Sequence, residues 1–270
     1  MTTWNEESIK AFADANQWYH KIDLGHGIVT KGLDFEPIWD NIRKTRSFVD
    51  YTQMSVLDIG TWDGLWAFEA EKLGAKNVIA TDVQATALEK FLTCREILGS
   101  KCLPFYNVSP YKLFDGLMPY LHSFTGDSKK DCVKSNLFDI VQHFGVLYHL
   151  RDPLLSLSQA RSVMKTGGTL ILETAILRNE DQPHMAFNCN AAEKKTIYDD
   201  ITTWWAPSPA ALSEMLRASM FEPLPETQSI MSDRLTIAAR AVGSSDVARD
   251  LWDELGRDYR NPGLASHIID

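Results

Sequence analysis

The sequence predicts an α/β fold: a doubly wound, seven-stranded, mostly parallel sheet with an antiparallel last strand. Three observations carry that reading. Short apolar runs of strand length alternate with segments whose apolar residues recur at helical spacing, the pattern of a parallel sheet covered on both faces. The run Val56 to Ile59 ends at a glycine turn, Gly60 to Gly64, and a helical pattern follows at once. The last two strand candidates are joined only by Ser229 to Arg234. A parallel crossover needs about a dozen residues, so this pair must be an antiparallel hairpin.

The elements follow in order. Ile9, Phe12, Ala13 and Trp18 among polar residues predict a helix within 5–20. Glycines 25, 27 and 32 then break regular structure and predict an aromatic-rich loop over 18–32, before a helix from about Pro37 to Phe48. Strand one is 55–59 with its helix at 64–73. Strand two is 77–81 with its helix at 84–98, where Ala87, Phe91, Leu92 and Ile97 share a face. Residues 103–108 form strand three. From Tyr111 to about Ser135 a helix passes into an exposed polar loop. Strand four is 138–144. The helix Pro153 to Met164 ends at Gly167-Gly168, and strand five is 169–176. Residues 177–206 read as irregular. Ser208-Pro209 caps a helix to about Ser219. Strands six and seven are 226–230 and 234–241. The expected organisation is a helical and loop lid region over 1–50, a catalytic domain over 51–242 with an acceptor-side lid insertion at 177–206, and a surface-docked tail over 243–270.

Composition bounds the function. The chain has 270 residues, 44% hydrophobic and 23% charged, ordinary for a globular protein. No apolar run approaches the ~20 residues that span a bilayer, and the N-terminus lacks the basic start and apolar run of a signal peptide. Cys94, Cys102, Cys132 and Cys189 show no C-x-x-C spacing, which speaks against a zinc site and for free thiols in a reducing cytoplasm. A net charge of −9 disfavours nucleic acid, whose binders neutralise phosphates with Lys and Arg. The densest basic run, Arg43-Lys44-x-Arg46, is short and reads as a solvated helix end.

The glycine turn narrows the ligand. A dinucleotide fingerprint needs a second glycine where this chain carries Trp62, and no G-x-x-x-x-G-K-[ST] cradle occurs. A nucleoside without phosphates needs less clearance. Asn77 to Asp82 is a second short strand ending in a carboxylate, placed to accept hydrogen bonds from a ribose diol. At this point the chain resembles the class I S-adenosylmethionine-dependent methyltransferases, which share a Rossmann-like sheet with a reversed last strand. Leu57-Asp58-Ile59-Gly60-x-x-x-Gly64 is similar to their first motif, and Asp82 falls on their ribose-binding position. Phe138-Asp139-Ile140-Val141 resembles their fourth-strand motif, and Lys165 to Leu172 the turn into their fifth. The likeness spans roughly residues 35–242. Trp62 departs from the small residue usual there, which bears on the loop around the methionine end. The resemblance implies S-adenosyl-L-methionine as cofactor, held by Asp58, Gly60, Thr61, Trp62, Gly64, Asp82, Val83, Asn107, Val108, His143 and Phe144. Asn107 and Val108 occupy the adenine-reading position after strand three.

Methyl transfer is an in-line displacement. It needs a nucleophile on the far side of the methyl group, a way to remove its proton, and exclusion of water. Residues 142–153, at the end of strand four, lie where acceptors dock in this fold. Gly145-Val146-Leu147-Tyr148-His149 followed by Leu172-Glu173-Thr174 resembles the group containing the tRNA wobble-uridine carboxymethyltransferase. Trp18-x-His20, Tyr198 and Trp205-x-Pro207-Ser208 extend that likeness. In that enzyme the tyrosine matching Tyr148 helps hold the cofactor's extra carboxylate with a lysine and an arginine; the lysine has no evident counterpart here. His149 is the first choice for general base, since an imidazole pKa near 6.5 suits proton removal at neutral pH. Tyr148 and Glu173 are further catalytic candidates at the pocket, and so are His20 and His26, carried on an N-terminal loop placed to fold over the pocket as a lid. Trp204 and Trp205 are candidates for an acceptor wall. No metal is expected. The expected function is methyl transfer to a small-molecule acceptor, most readily at oxygen, with nitrogen and sulfur acceptors open. The alternatives are wobble-base modification of tRNA and a non-catalytic S-adenosylmethionine-binding module.

Overall fold

The computed structural model describes residues 4–121, 137–188, 198 and 200–243. Its centre is a seven-stranded sheet. Strands β1 (Ser55–Ile59), β2 (Asn77–Asp82), β3 (Leu103–Tyr106), β4 (Phe138–Phe144) and β5 (Met164–Ala175) pair in parallel. A separate two-stranded ribbon, β6 (Met185–Phe187) and β7 (Trp205–Pro207), lies in the segment expected to be irregular. Strands β8 (Phe221–Met231) and β9 (Arg234–Ala241) close the main sheet, with β9 antiparallel to both neighbours. The order β3-β2-β1-β4-β5-β9-β8 reverses direction between β1 and β4, which is where such sheets open a crevice.

One face of the sheet is covered by α1 (Glu6–Ala15), α2 (Glu36–Arg46), α3 (Leu65–Lys72) and α4 (Leu88–Leu98), whose apolar sides meet in a core holding Ile9, Trp39, Trp66 and Phe91. The other face carries the short helices α5 (Leu113–Gly116) and α6 (Met118–Leu121), then α7 (Pro153–Ser162) and α8 (Pro209–Ala218), around Leu57, Val141, Leu157 and Leu216. The helix starts have local causes. Asn5 and Ser8 form a reciprocal capping box on α1. Asp152 accepts from Leu155 N ahead of Pro153, and Ser208 accepts from Ala211 N ahead of Pro209.

Four expectations change. Gly167-Gly168 does not terminate a helix; both lie inside β5, where the register slips against β4 between Phe138 and Ile140. A Cβ on Gly168 would sit 2.8 Å from Asp139 O, so only glycine lets the two strands approach there. Strand β8 starts five residues before the expected 226, carrying Pro223 and Pro225; it is an edge strand, where missing N–H groups cost no ladder bond. Helix α2, placed in the lid region, belongs to the packed body: Asn41 Nδ2 donates to Ser229 O and Thr45 Oγ1 to Thr227 O. The N-terminal loop, expected as part of a lid region, is packed into the body, with Trp18, His20, Ile22 and Leu24 buried. Cys94 and Cys102 are buried free thiols, while Cys132 and Cys189 lie outside the described residues, as does the expected tail. No helix among the described residues is long and apolar enough to cross a membrane.

Gly64 shows how tightly the β1–α3 turn is built. Its φ is +102°, and a Cβ would meet Phe68 at 2.5 Å and Phe91 at 2.6 Å. A Gly64→Ala substitution combines left-handed strain with overpacking. It is expected to lower the unfolding free energy in urea by about 2–4 kcal/mol; a loss under about 0.5 kcal/mol would show that the turn relaxes freely.

Candidate cofactor and acceptor site

The chain ends of β1, β2, β3, β4 and β5 converge at one edge of the sheet, and two groups of polar residues form there. The first surrounds the turn after β1. Gly60 N and Thr61 N both donate to Thr81 O, at 2.8 and 3.0 Å, which pins the turn to β2. Gly60 has φ +71°, and a Cβ there would come within 2.3 Å of Val146 Cγ2, so the loops after β1 and β4 touch only because this residue lacks a side chain. Trp62 is itself left-handed (φ +51°). Two neighbours hold it: its N–H donates to Asp82 Oδ2 at 2.8 Å, and its carbonyl accepts from Tyr106 OH at 2.9 Å. Asp82 Oδ1 also accepts from Gln84 N. Burial raises the Asp82 carboxyl above its ordinary value, against those backbone donors.

Beneath the turn, Asp58 is buried with Oδ1 on Gln142 Nε2, and Gln142 in turn accepts from Tyr51 OH. Oδ2 of Asp58 and Oγ1 of Thr61 are buried and lie near each other without a well-formed hydrogen bond. Unsatisfied buried oxygens at a ligand edge are what an ammonium-bearing ligand, directly or through water, would satisfy. Burial pushes Asp58 up to about 6, opposed by Thr61, Gln142, Arg46 and His20.

Asp63 is the residue that sequence reasoning missed here. It is fully buried, and its Oδ2 accepts from Tyr19 N (3.0 Å) and His20 N (3.1 Å) while the His20 ring closes on Oδ1 through Nδ1. The N-terminal segment is therefore clamped to the glycine turn by one carboxylate. The available signal was an acid between Trp62 and Gly64, in a turn with no water to solvate it. His20 is a clamp packed against Trp39 and Trp66, not a free base.

The second group lies at the ends of β4 and β5. Glu173 is buried and takes Arg234 at both oxygens, Nε at 2.7 Å and Nη2 at 3.0 Å. Its Oε2 also accepts from Gly145 N at 2.9 Å. The Arg234 guanidinium lies 4.3 Å from the Tyr148 ring centre. Burial works against the charge on Arg234, but Glu173 and Tyr148 more than compensate and raise it well above its usual value. Burial likewise raises the Tyr148 and Tyr19 hydroxyls, so both are neutral donors. Arg234 had no local sequence signal: its partner is 61 residues away. His149 stands beside this group, its ring 4.0 Å from that of Tyr148. Its pKa is lowered by burial, leaving the imidazole neutral at pH 7.

The remaining candidates separate. Val83 is half exposed next to Asp82, and Asn107 is exposed with a left-handed backbone after β3, both at the crevice edge. Val108 turns inward, in contact range of Gly116, with its N–H on Asp82 O. Gly64 serves packing, as above. His143 faces α7 with Nε2 on Ser156 Oγ and is fully buried, its pKa pushed down to about 4 by desolvation. Phe144 packs on Trp66 in the core. His143 and Phe144 therefore support the site from behind. His26 is exposed at the tip of the turn bridged by Asp23 and Val29. Trp204 and Trp205 gather around Phe187 of the ribbon.

A family model described as a methyltransferase domain matches residues 36–222. The chain is 28% identical over 166 residues to the tRNA U34 carboxymethyltransferase of Methylococcus capsulatus, covering 62% of this chain and 44% of that protein. It is 28% identical over 173 residues to the enzyme of the same name from Pseudomonas paraeruginosa, covering 64% and 46%. The chain thus spans about half the length of the curated relatives it matches. Among solved structures, the N-terminal domain of EvdMO1, crystallised with SAH and D-fucose, superposes with a TM-score of 0.59 at 16% identity, over 88% of this chain and 97% of that one. The 1,6-didemethyltoxoflavin-N1-methyltransferase of Burkholderia thailandensis gives 0.54 at 14% identity, over 77% and 80%.

Asp58 makes the site's electrostatics measurable. Its folded pKa of about 6 lies above its unfolded value near 3.8, so the unfolded chain releases this proton first and the Asp58 contribution to stability falls as pH rises between about 4 and 6. The Asp58→Asn variant, in the cofactor-free protein, is expected to gain up to about 3 kcal/mol relative to wild type between pH 4 and pH 7. Denaturant titrations at the two pH values read the difference, and a constant gap between the proteins would contradict the burial argument.

Proposed function

The chain belongs to the class I S-adenosylmethionine-dependent methyltransferase family, and from that premise we propose that it transfers a methyl group to a small-molecule acceptor, at oxygen. The observation that carries the proposal is the pair of polar groups facing each other across the β1–β4 switch point. On one side lie Asp82, Asp58 and the Gly60 turn; on the other lie Tyr148, His149 and Glu173 with Arg234. When bound, S-adenosyl-L-methionine supplies an electrophilic methyl group on a sulfonium, whose sulfur keeps the electron pair of the breaking bond.

Each residue then has a role. Asp82 accepts from the ribose hydroxyls, for which a carboxylate has lone pairs beyond those given to Trp62 N and Gln84 N. Asp58 and Thr61 face the amino-acid end with these buried oxygens. Val83 and Asn107 border the adenine. Tyr148 and Glu173 shape the acceptor side, and His149, neutral at physiological pH, removes the acceptor's proton. The segment 200–207 is docked on the loop after β4 as a partial roof: Trp204 N donates to Tyr148 O at 2.7 Å and Trp205 Nε1 to Arg151 O at 3.0 Å, while Asp200, Ile201 and Thr202 stay exposed. The acceptor side is thus lined by buried, uncharged or mutually neutralised groups, which suits a small neutral molecule. The net charge of −9 opposes a polyanion.

A second reading has specific support. The curated relatives are named as tRNA U34 carboxymethyltransferases, and Arg234 against Tyr148 fits the arginine that partners the matching tyrosine in that group. Binding to bulk tRNA across salt concentration separates the two. The small-molecule reading expects weak binding at low salt; tight binding with a steep salt slope would favour RNA. For the cofactor side, Asp82→Ala is expected to weaken S-adenosylhomocysteine binding at least about tenfold by calorimetry, the scale of a lost buried charged hydrogen bond. Unchanged affinity would remove Asp82 from the site.

A further inference from the structure

We propose that Asp200 and Thr202 are positioning residues that hold His149 in its Nδ1–H tautomer and so present a bare Nε2 lone pair as the general base. This rests on the methyl-transfer reading given above and adds to it the device that sets the base.

The observation is a three-residue chain of hydrogen bonds between the loop after β4 and the roofing segment. His149 Nδ1 lies 3.2 Å from Thr202 O and 2.9 Å from Thr202 Oγ1. Thr202 Oγ1 lies 2.6 Å from Asp200 Oδ1, and Thr202 N donates to the same oxygen at 2.8 Å. Donor and acceptor roles follow from valence. A carbonyl oxygen has no proton to give, so the proton between Thr202 O and His149 must sit on Nδ1. The Thr202 hydroxyl has one proton and an ionised carboxylate accepts it, leaving the hydroxyl lone pairs to accept from Nδ1 as well. Both contacts demand the same tautomer, and the second does so only because Asp200 takes the hydroxyl proton. Nε2 then has no partner among the described residues. A histidine whose one nitrogen is tied by a hydrogen bond has its reactive nitrogen chosen for it.

The proton balance is complete with these groups. As the acceptor oxygen forms its bond to the methyl carbon, its proton passes to Nε2. The pair from the S–CH3 bond stays on sulfur, and the resulting imidazolium returns its proton to solvent. Asp200 stabilises that transient cation, while Glu173 and Arg234, paired with each other, act on it in opposite directions. The roofing segment is docked on residues 148–151 through Trp204 and Trp205, and it orients the base through Thr202.

The test needs no knowledge of the acceptor. The full chain is labelled with 15N-histidine, and long-range proton–nitrogen correlation spectra read the protonation of each ring nitrogen at pH 8. His149 is assigned by its loss in His149→Gln. The wild-type spectrum is expected to show Nδ1 protonated and Nε2 bare. In Asp200→Ala and Thr202→Val the contact to Thr202 O remains but the directed hydroxyl contact is lost, so a measurable Nε2–H fraction is expected beside Nδ1–H, whereas Thr202→Ser is expected to retain the single form. The His20 ring, held on Asp63 away from this segment, reports whether each variant is folded. An Nε2–H tautomer in the wild type overturns the proposal without any variant. So does a wild-type tautomer that persists unchanged in both Asp200→Ala and Thr202→Val. Calorimetry with S-adenosylhomocysteine keeps the two levels apart: no binding would sink the methyltransferase reading, whereas normal binding with the wrong tautomer would sink only this proposal.

Discussion

The turn from Gly60 to Gly64 is held in a conformation that few sequences tolerate, and buried carboxylates hold it. Three of its five residues, Gly60, Trp62 and Gly64, have positive φ. A backbone so strained persists only when its surroundings determine it. Asp82 does so from β2 by accepting from Trp62 N, and Asp63 does so from within by accepting two backbone N–H groups and a ring nitrogen from residues 19 and 20. The turn's N–H groups are thereby committed to fixed directions before any ligand arrives. That preorganisation is what lets bare backbone approach a nucleoside at the edge of a sheet, and it explains why the N-terminal segment is packed against the turn.

The acceptor side obeys a different constraint. Glu173 is buried beside two tyrosines and a histidine, where an unpaired carboxylate would cost several kcal/mol. Arg234 neutralises it with two hydrogen bonds and spreads the remaining field over the Tyr148 ring. The Glu173–Arg234 pair carries no net charge of its own, so in the proposed reaction proton removal falls to the neighbouring imidazole. The reversed strand β9 matters here, because it alone brings Arg234 next to the end of β5.

Much of the scaffold was legible in the chain, for reasons that can be named. Strands β1 and β4 have the bounds expected from their apolar runs, and β2 differs by one residue. The hairpin of β8 and β9 followed from loop length alone. Gly167-Gly168 misled because a glycine pair looks the same whether it ends a helix or eases a bulge; the difference is the approach of Asp139 O, which no local pattern reports. The ribbon strands are three residues each, too short for periodicity to register. At the turn, the placement of Gly60 and Asp82 was readable because both lie at strand ends of one β-α-β unit. Asp63, Arg234 and Thr202 were not, since each acts on a partner 43 to 61 residues away. His143 was drawn to the site by its place at the end of β4, but its register points it at Ser156 in the core.

All of this turns on whether one edge of the sheet receives the two halves of a single cofactor. The most direct measurement is a crystal structure of the full chain with S-adenosylhomocysteine. The expected result is ribose hydroxyls on the Asp82 carboxylate, the amino group over Asp58 and Thr61, and the thioether sulfur facing Tyr148 and His149. Density for the compound anywhere else, or ribose hydroxyls that leave Asp82 untouched, would contradict it.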